Sequence, residues 1–305
     1  MPSQPLTAFF IRAAPLTFAL LWSSGFIVAK YAAPDADPFT FLTVRFGVTI
    51  LALGLIAIAS RAPWPASARE ACHSMIAGVL LHGGYLGGVW WAVAEGLPAG
   101  ISGLITAAQP LLTALLAAPL LGERVTRGQW CGIVSGFIGI VLVLAPRLAG
   151  VDTAALGAIA MPMIVNFGAT ISVTLGTFYQ KRFVAGADLR TGTCLQYVGA
   201  LALMAPLALA TESLRFDPTA TLLAALAWSV VVMSMAAIVL LLLMIRHGEV
   251  SRIATLIYLV PPLTAVAAFI LFGESLGAVQ IVGMAVTAAG VWLATRRTWR
   301  PPAGQ

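Results

Sequence analysis

Long apolar stretches, separated by short breaks of charged, proline or glycine residues, make up most of the chain. A bilayer core about 30 Å thick is crossed by about 20 apolar helical residues. Ten stretches are of about that length, and they are too long and too uniformly apolar for the strands of a membrane barrel. We therefore predict ten membrane-spanning helices. Their approximate limits are 13–33, 39–60, 72–94, 99–121, 127–146, 154–178, 190–210, 219–245, 251–272 and 276–296.

The second half of the chain repeats the first at an offset of 151 residues. The matched pairs are Pro110/Pro261, Gly122/Gly273, Glu123/Glu274, Gln129/Gln280, Gly132/Gly283, Gly139/Gly290, Gly25/Gly176 and Lys30/Lys181, and Arg45-Phe46 falls on Gln196-Tyr197. We predict two units of five spans, residues 1–150 and 151–305. Because five is odd, the second unit enters the membrane from the opposite side. Such inverted repeats are typical of alternating-access transporters, which bind substrate between the units.

Composition and charge narrow the class of protein. The chain is 60% hydrophobic and 9% charged, against about 25% charged in soluble proteins, so it is a polytopic membrane protein. The excess of Lys and Arg does not indicate nucleic acid, because the cations flank the apolar stretches. Thirteen fall on the connections of one side and three on the other, which predicts cytoplasmic N- and C-termini. The three Cys and three His residues have no metal-site spacing, and no metal or other cofactor is expected.

The repeat resembles a known family. A proline-bearing fourth span ends in Gly122-Glu123, and a fifth span carries Gln129 and Gly132; this pattern, present twice, resembles the EamA family of the drug/metabolite transporter superfamily over essentially the whole chain. The resemblance implies an exporter of small metabolites, amino acids or drugs in the bacterial inner membrane. Characterised members include exporters of aromatic amino acids of the YddG type.

Polar and aromatic side chains within the spans are the candidate substrate-binding residues, because they are costly in lipid unless they face protein or water. They are Trp22, Ser23, Arg45, His82, Tyr85, Gln109, Asn166, Tyr179 and Tyr258. We expect them around a central cavity. For His82, a hydrogen bond between helices is as good an interpretation as a ligand contact. Arg45 either extends to the outer interface or binds a carboxylate in the cavity.

Prolines in the middle of two spans are candidate hinges. Pro110, Pro261 and Pro262 lack an N–H, which frees the carbonyl four residues earlier. The freed carbonyls would be those of Thr106, Ile257 and Tyr258. Matched placement in both units favours hinges beside a cavity over static kinks.

Two further features of the repeat have mainly structural interpretations. Glu123 and Glu274 precede the fifth and tenth spans, where a carboxylate suits a helix N-terminus, so we predict capping. Glycines four residues apart, such as Gly128, Gly132 and Gly136, form a face on which helices pack closely. That packing would join spans within one bundle or between protomers, so the sequence allows a monomer or a homodimer.

All eleven acids fall in loops or at span ends. Proton- or sodium-coupled carriers usually place a carboxylate within the membrane. We therefore predict facilitated diffusion or exchange of a small amphipathic metabolite, with aromatic or hydrophobic amino acids first. An exporter of lipophilic cations, with or without proton coupling, is the main alternative and would usually need a buried acid. A lipid-modifying membrane enzyme would need clustered acids or histidines, and the paired prolines disfavour a purely structural subunit.

Overall fold

A computed structural model describes residues 15–25, 28, 31–148, 159–247, 250–272 and 276–295. Lys30, Gly273 and Glu274, used above as parts of the repeat, lie outside these residues. The described chain is almost entirely helical, and the β-structure in it is a single isolated bridge between Ala36 and Phe216. Eight described helices are long and apolar enough to cross a membrane, and Ile253–Leu263 is a shorter apolar helix.

One helix lies at each of the ten predicted spans, which confirms the all-α membrane fold. They are α1 (15–25), α2 (Pro38–Ala59), α3 (Ala68–Ala94), α4 (99–121), α5 (Arg127–Leu148), α6 (Ala160–Val184), α7 (Leu189–Thr211), α8 (220–247), α9 (250–272) and α10 (Ala278–Thr295). Helix α3 begins four residues before its predicted start. The Ser67 side chain caps it by accepting a hydrogen bond from the Glu70 N–H at 3.2 Å, and capping extends a helix into a polar turn that hydropathy excludes.

The packing of α5 against α10 shows how the two units are oriented. Gly132 lies against Gly290, and Gly139 lies against Gly283. Contacts therefore move backwards along α10 as they advance along α5, so the two helices are antiparallel. Since α5 and α10 occupy the same place in their units, the two units are inverted, as predicted. Each pair exchanges equivalent positions, which is the reciprocity expected across a two-fold axis.

The same axis passes between α2 and α7. Phe46 packs on its own repeat mate, Tyr197, with ring centroids 5.4 Å apart. At the end of α7, the Glu212 carboxylate accepts hydrogen bonds from the backbone N–H groups of Phe39 and Thr40, each at 2.7 Å. A carboxylate at these free N–H groups satisfies the start of α2. Helices α2 and α7 thus form a second close contact between the units.

Helices α4 and α9 are both broken just before their central prolines. Helix α4 consists of Ala99–Thr106 and Gln109–Leu121. Helix α9 consists of Val250–Thr255, a 3₁₀ turn at Leu256–Leu259, and Val260–Phe272. The Ile257 carbonyl accepts a hydrogen bond from the Val260 N–H, so the prediction that it is freed is wrong. A 3₁₀ turn replaces the missing i to i+4 bond with an i to i+3 bond.

Gln129 and Gln280, which are matched in the repeat, have a capping function. The Gln129 side chain accepts from the Thr126 N–H at 2.7 Å, while the Thr126 hydroxyl accepts from the Gln129 N–H. Gln280 likewise accepts from the Gly277 N–H at 3.0 Å. The capping role predicted for Glu123 is wrong for α5: its carboxylate instead accepts from the Val250 N–H at 3.0 Å, at the start of α9. A capping box already satisfies the start of α5.

The glycine faces pack within the bundle. Gly132, Gly136 and Gly139 of α5 face α9 and α10, and Gly83 and Gly87 of α3 face α7. Gly128 has open space around it. In a membrane the close approach of backbones, rather than a hydrophobic drive, holds helices together. These glycine faces therefore pack against helices of the same protomer.

Candidate functional site

A central cavity lies between the two units, and six helices line it. The space between its side chains is about 450 Å³ when the open solvent at its mouth is counted, and the centre of a water-sized sphere can occupy about 20 Å³ of it, so the cavity is narrow in this conformation. The lining comes from α1, α3, α4, α6, α8 and α9, so the broken helices α4 and α9 both border it. The lining residues are Trp22, Leu81, His82, Tyr85, Gln109, Val173, Thr177, Ile238, Leu241, Ile253, Ala254 and Ile257. Four of the nine predicted site residues, Trp22, His82, Tyr85 and Gln109, are among them.

The two units supply different walls. The first unit contributes the aromatic and polar groups of Trp22, His82, Tyr85 and Gln109, together with Leu81. The second unit contributes six aliphatic side chains and one hydroxyl, that of Thr177. The lining therefore matches, in its chemistry, an apolar body on one side and a polar group on the other.

His82 occupies the polar wall because of the local structure of α3. It lies in a π-helical segment, Val79–Gly84. The Leu80 carbonyl in this segment accepts a hydrogen bond from the Ser172 hydroxyl at 2.9 Å. A Cβ on Gly78 would clash with the Gln196 backbone, so glycine lets α3 approach α7 closely. π-Helical turns are frequent at functional sites.

A chain of amide side chains connects His82 to Gln196 and Gln180. The Gln196 side-chain Nε2 donates to the side-chain oxygen Oε1 of Gln180 at 2.9 Å, and the Gln196 Oε1 lies 3.1 Å from His82 Nε2. With Gln196 in this orientation, His82 Nε2 carries the proton and donates. In the neutral ring Nδ1 is then an acceptor. A ring that lines the cavity thus offers a neutral acceptor to a bound molecule.

Arg45 lies behind this wall and does not extend to the outer interface. Only 4% of its surface is exposed. Its Nε donates to the Ser234 hydroxyl at 3.0 Å, linking α2 to α8. The Tyr197 hydroxyl donates to the Ser234 carbonyl at 3.3 Å, and the Tyr197 ring stacks on His82 with centroids 4.5 Å apart. The interpretation in which the Arg45 side chain extends to the outer interface is therefore excluded.

The other four predicted residues do not border this cavity. Ser23 donates to the Leu20 carbonyl at 2.8 Å within α1. Asn166 is fully buried and donates to the Ser102 carbonyl at 3.1 Å, joining α6 to α4. The Tyr179 hydroxyl lies 2.6 Å from His73 Nδ1 near the end of α6.

Tyr258 is fully buried in the 3₁₀ turn of α9, where its ring packs on Gly136. Its hydroxyl has no hydrogen-bond partner within the described part of the chain.

Sequence reasoning missed Thr177, Gln180 and Ser234. Ser234, like His82, lies on a π-helical segment, Ser229–Ala237, and Gln180 begins a third, Gln180–Val184. The sequence singles out Gln196 only as the uncharged repeat mate of Arg45. Each of these residues is a lone polar side chain in an apolar span, and that is the signal by which the sequence could have identified them. This signal is weaker than the one given by the bulkier aromatic candidates.

The profile of the EamA-like transporter family matches residues 10–145 and 160–296. The chain is 25% identical over 288 residues to a probable amino-acid metabolite efflux pump of Salmonella typhimurium, covering 91% of this chain and 92% of that protein. It is 29% identical over 208 residues to a probable terminal-alkyne amino-acid exporter of Streptantibioticus cattleyicolor, covering 66% of each.

Two more similarities extend over nearly the whole chain. The inner membrane transporter YedA of Escherichia coli is 24% identical over 288 residues, which is 93% of this chain and 90% of that protein. A solved crystal structure superposes with a TM-score of 0.78 at 21% identity, covering 92% of this chain and 95% of that one. At that identity the superposition shows a shared fold.

Proposed function

Because the chain belongs to the EamA-like transporter family, we propose that it exports a small amphipathic metabolite, and first an amino acid with an aromatic or hydrophobic side chain. Family membership makes the chain a multi-pass membrane transporter of small molecules and not an enzyme. The substrate, the mechanism and the cellular setting are our proposals.

The observation that carries the substrate proposal is the division of the cavity into two walls. Ile238, Leu241 and Ile253 would hold the apolar side chain of the substrate. His82, Gln109 and Tyr85 would orient its polar end, and Trp22 offers a flat aromatic surface. The relatives named as amino-acid exporters support the same class of substrate.

Alternating access would use the breaks in α4 and α9. Each break lies beside the cavity and directly before a proline, at matched positions in the inverted units. Pro110, Pro261 and Pro262 would act as hinges about which the half-helices tilt. The pairs α5–α10 and α2–α7, which contribute nothing to the lining, would be the stationary frame.

The transport cycle needs no buried carboxylate. Among the described side chains, no Asp or Glu is buried, so we propose facilitated diffusion or exchange down the substrate gradient. The absence of an acid in the described cavity also disfavours lipophilic cations. We propose a monomer of two units, residues 1–150 and 151–305, in the bacterial inner membrane with both termini cytoplasmic, and no nucleic-acid partner.

Counterflow in proteoliposomes tests the proposal. Vesicles loaded with unlabelled phenylalanine, without an ion gradient, should accumulate labelled phenylalanine saturably and should not accumulate tetraphenylphosphonium. Trp22→Leu should raise the KM, whereas Trp64→Leu, at an exposed tryptophan in a connecting turn, should not. Uptake of the cation alone would replace the proposal with a drug exporter. Uptake that requires a pH gradient would overturn the uncoupled mechanism.

A further inference from the structure

Arg45 is a buried cation without a counter-ion in the described protein. It is the only Lys, Arg, Asp or Glu among the buried described side chains. It lies seven residues into α2, about 10 Å along the helix from its start. The described acids lie in the connections or at helix ends. A buried charge that no opposite charge neutralises is unfavourable, so a bound anion would stabilise the Arg45 guanidinium.

The guanidinium also has unused hydrogen-bonding capacity. It carries five N–H donors in a planar fork. In the described part of the chain, Ser234 is its one hydrogen-bond acceptor, and it receives the bond from Nε. The two terminal nitrogens are therefore available. Their geometry matches the two oxygens of a carboxylate, which arginine binds bidentately.

The position of the guanidinium connects it to the cavity. Ser234 is bonded both to Arg45 and, through its carbonyl, to the Tyr197 hydroxyl. The Tyr197 ring stacks on His82, and His82 lines the cavity. Arg45 is thus linked to the cavity through Ser234, Tyr197 and His82. Ser234 and His82 both lie on π-helical segments, which are common where a helix serves a ligand site.

We propose that Arg45 and Ser234 form the anion-binding part of the substrate site and take one carboxylate group. The inference rests on the proposed function and adds what the site recognises. The carboxylate would pass along the His82–Tyr197 pair to reach the guanidinium as the units move. The apolar body would stay against the aliphatic wall of α8 and α9.

The amino group of the substrate would meet a different environment. No buried acid among the described side chains can pair with an α-ammonium; neutral acceptors such as His82 Nδ1 and Gln109 are what the polar wall offers. The site should therefore select for the carboxylate and tolerate loss of the amine. The substrate class becomes monocarboxylates with an apolar body, of which aromatic amino acids are one case.

Three analogues of one size test this on the wild-type protein. Phenylalanine, 3-phenylpropanoate and phenethylamine keep the ring and differ only in the charged groups. Each competes with labelled phenylalanine for binding to purified protein and for counterflow in proteoliposomes. We expect the phenylpropanoate to compete within a few-fold of phenylalanine and phenethylamine to compete at least tenfold more weakly. Competition by phenethylamine equal to that of phenylalanine would overturn the inference without any variant.

Variants then locate the recognition. Arg45→Gln should raise the KM for phenylalanine by at least about tenfold and abolish competition by phenylpropanoate, since a charge-assisted pair is lost. Arg45→Lys should fall between it and the wild type, and Ser234→Ala should raise the KM about threefold or more. Arg61→Gln, in an exposed turn, is the matched control and should behave as wild type.

The outcomes separate this inference from the proposed function. Phenylalanine transport that survives unchanged in a folded Arg45→Gln variant would refute the role of Arg45 and leave the amino-acid exporter standing. Wild-type protein that carries no amino acid, yet binds phenylpropanoate in an Arg45-dependent manner, would refute the proposed substrate and support the carboxylate site. If Arg45→Gln fails to fold, the Ser234→Ala variant and the wild-type analogue series decide.

Discussion

The close contact between α5 and α10 can be tested with a single methyl group. A Cβ on Gly132 would lie 2.5 Å from the Ala294 nitrogen and 2.6 Å from the Gly290 oxygen, whereas ordinary contact begins at 3.4 Å. The obstructing atoms are backbone, so α5 and α10 would have to separate by about 0.9 Å. Overpacking of this kind costs about 1–3 kcal/mol. The higher helix propensity of alanine offsets about 0.5–1 kcal/mol of this loss in stability. Gly132→Ala should therefore destabilise the protein by about 1 kcal/mol, with about 2.5 kcal/mol as the upper bound.

Gly128→Ala is the matched control, because Gly128 lies one turn earlier on α5 and has no atom within 4 Å of the position that a Cβ would take. Because Gly128 is the second residue of α5 and not in the middle of the helix, Gly128→Ala should leave the stability of the protein unchanged or raise it by up to about 0.5 kcal/mol. Gly283 is the repeat mate of Gly132, and a Cβ on it would lie 2.7 Å from the Val143 nitrogen. Gly283→Ala should therefore lower the stability of the protein by as much as Gly132→Ala does. Denaturant unfolding in detergent, followed by fluorescence, measures all three. Equal stability of the Gly132 and Gly128 variants would refute the backbone contact, and unequal losses at Gly132 and Gly283 would refute its symmetry.

Three other predictions concern polar contacts. Gln196→Leu leaves His82 and Gln180 without their shared hydrogen-bond partner. It should lower the stability of the protein by about 1–3 kcal/mol and lower the rate of counterflow. Thr211→Val, at an exposed hydroxyl of the same helix, is the control and should change neither the stability nor the rate. Glu212→Ala removes the carboxylate that caps α2 and should cost about 1–2 kcal/mol, measured by unfolding in detergent, and an unchanged midpoint would contradict the cap. A hydrogen bond from Arg190 lowers the pKa of Asp188, at the start of α7, to about 2. Its contribution to stability is therefore present above about pH 4 and lost as the pH falls towards 2, so the unfolding midpoint should fall less steeply over this range in Asp188→Asn.

Much of the architecture could be predicted from the sequence for one physical reason. Lipid offers no hydrogen bonds to the backbone, so every apolar stretch of sufficient length must be a helix. The 151-residue repeat and an odd number of spans per unit then determine the inversion. The same reasoning found Trp22, His82, Tyr85 and Gln109, because an intramembrane polar or aromatic group must face protein or a cavity.

What the sequence could not decide is which partner each polar side chain meets. Asn166 and Tyr179 satisfied the same rule, yet they bond to Ser102 and His73. The partner of His82 lies 114 residues away, and no local pattern encodes so distant a contact.

The difference between the two walls of the cavity is also a tertiary property. By sequence the units are copies, and only the packing shows that one contributes the aromatic and polar groups and the other mostly aliphatic ones. The sequence by itself determined the number of helices, their repeat and their inversion, because those follow from hydropathy and chain direction. Only the tertiary structure decided that Arg45 is buried beside Ser234, because helix rotation and long-range packing choose the neighbours of a side chain.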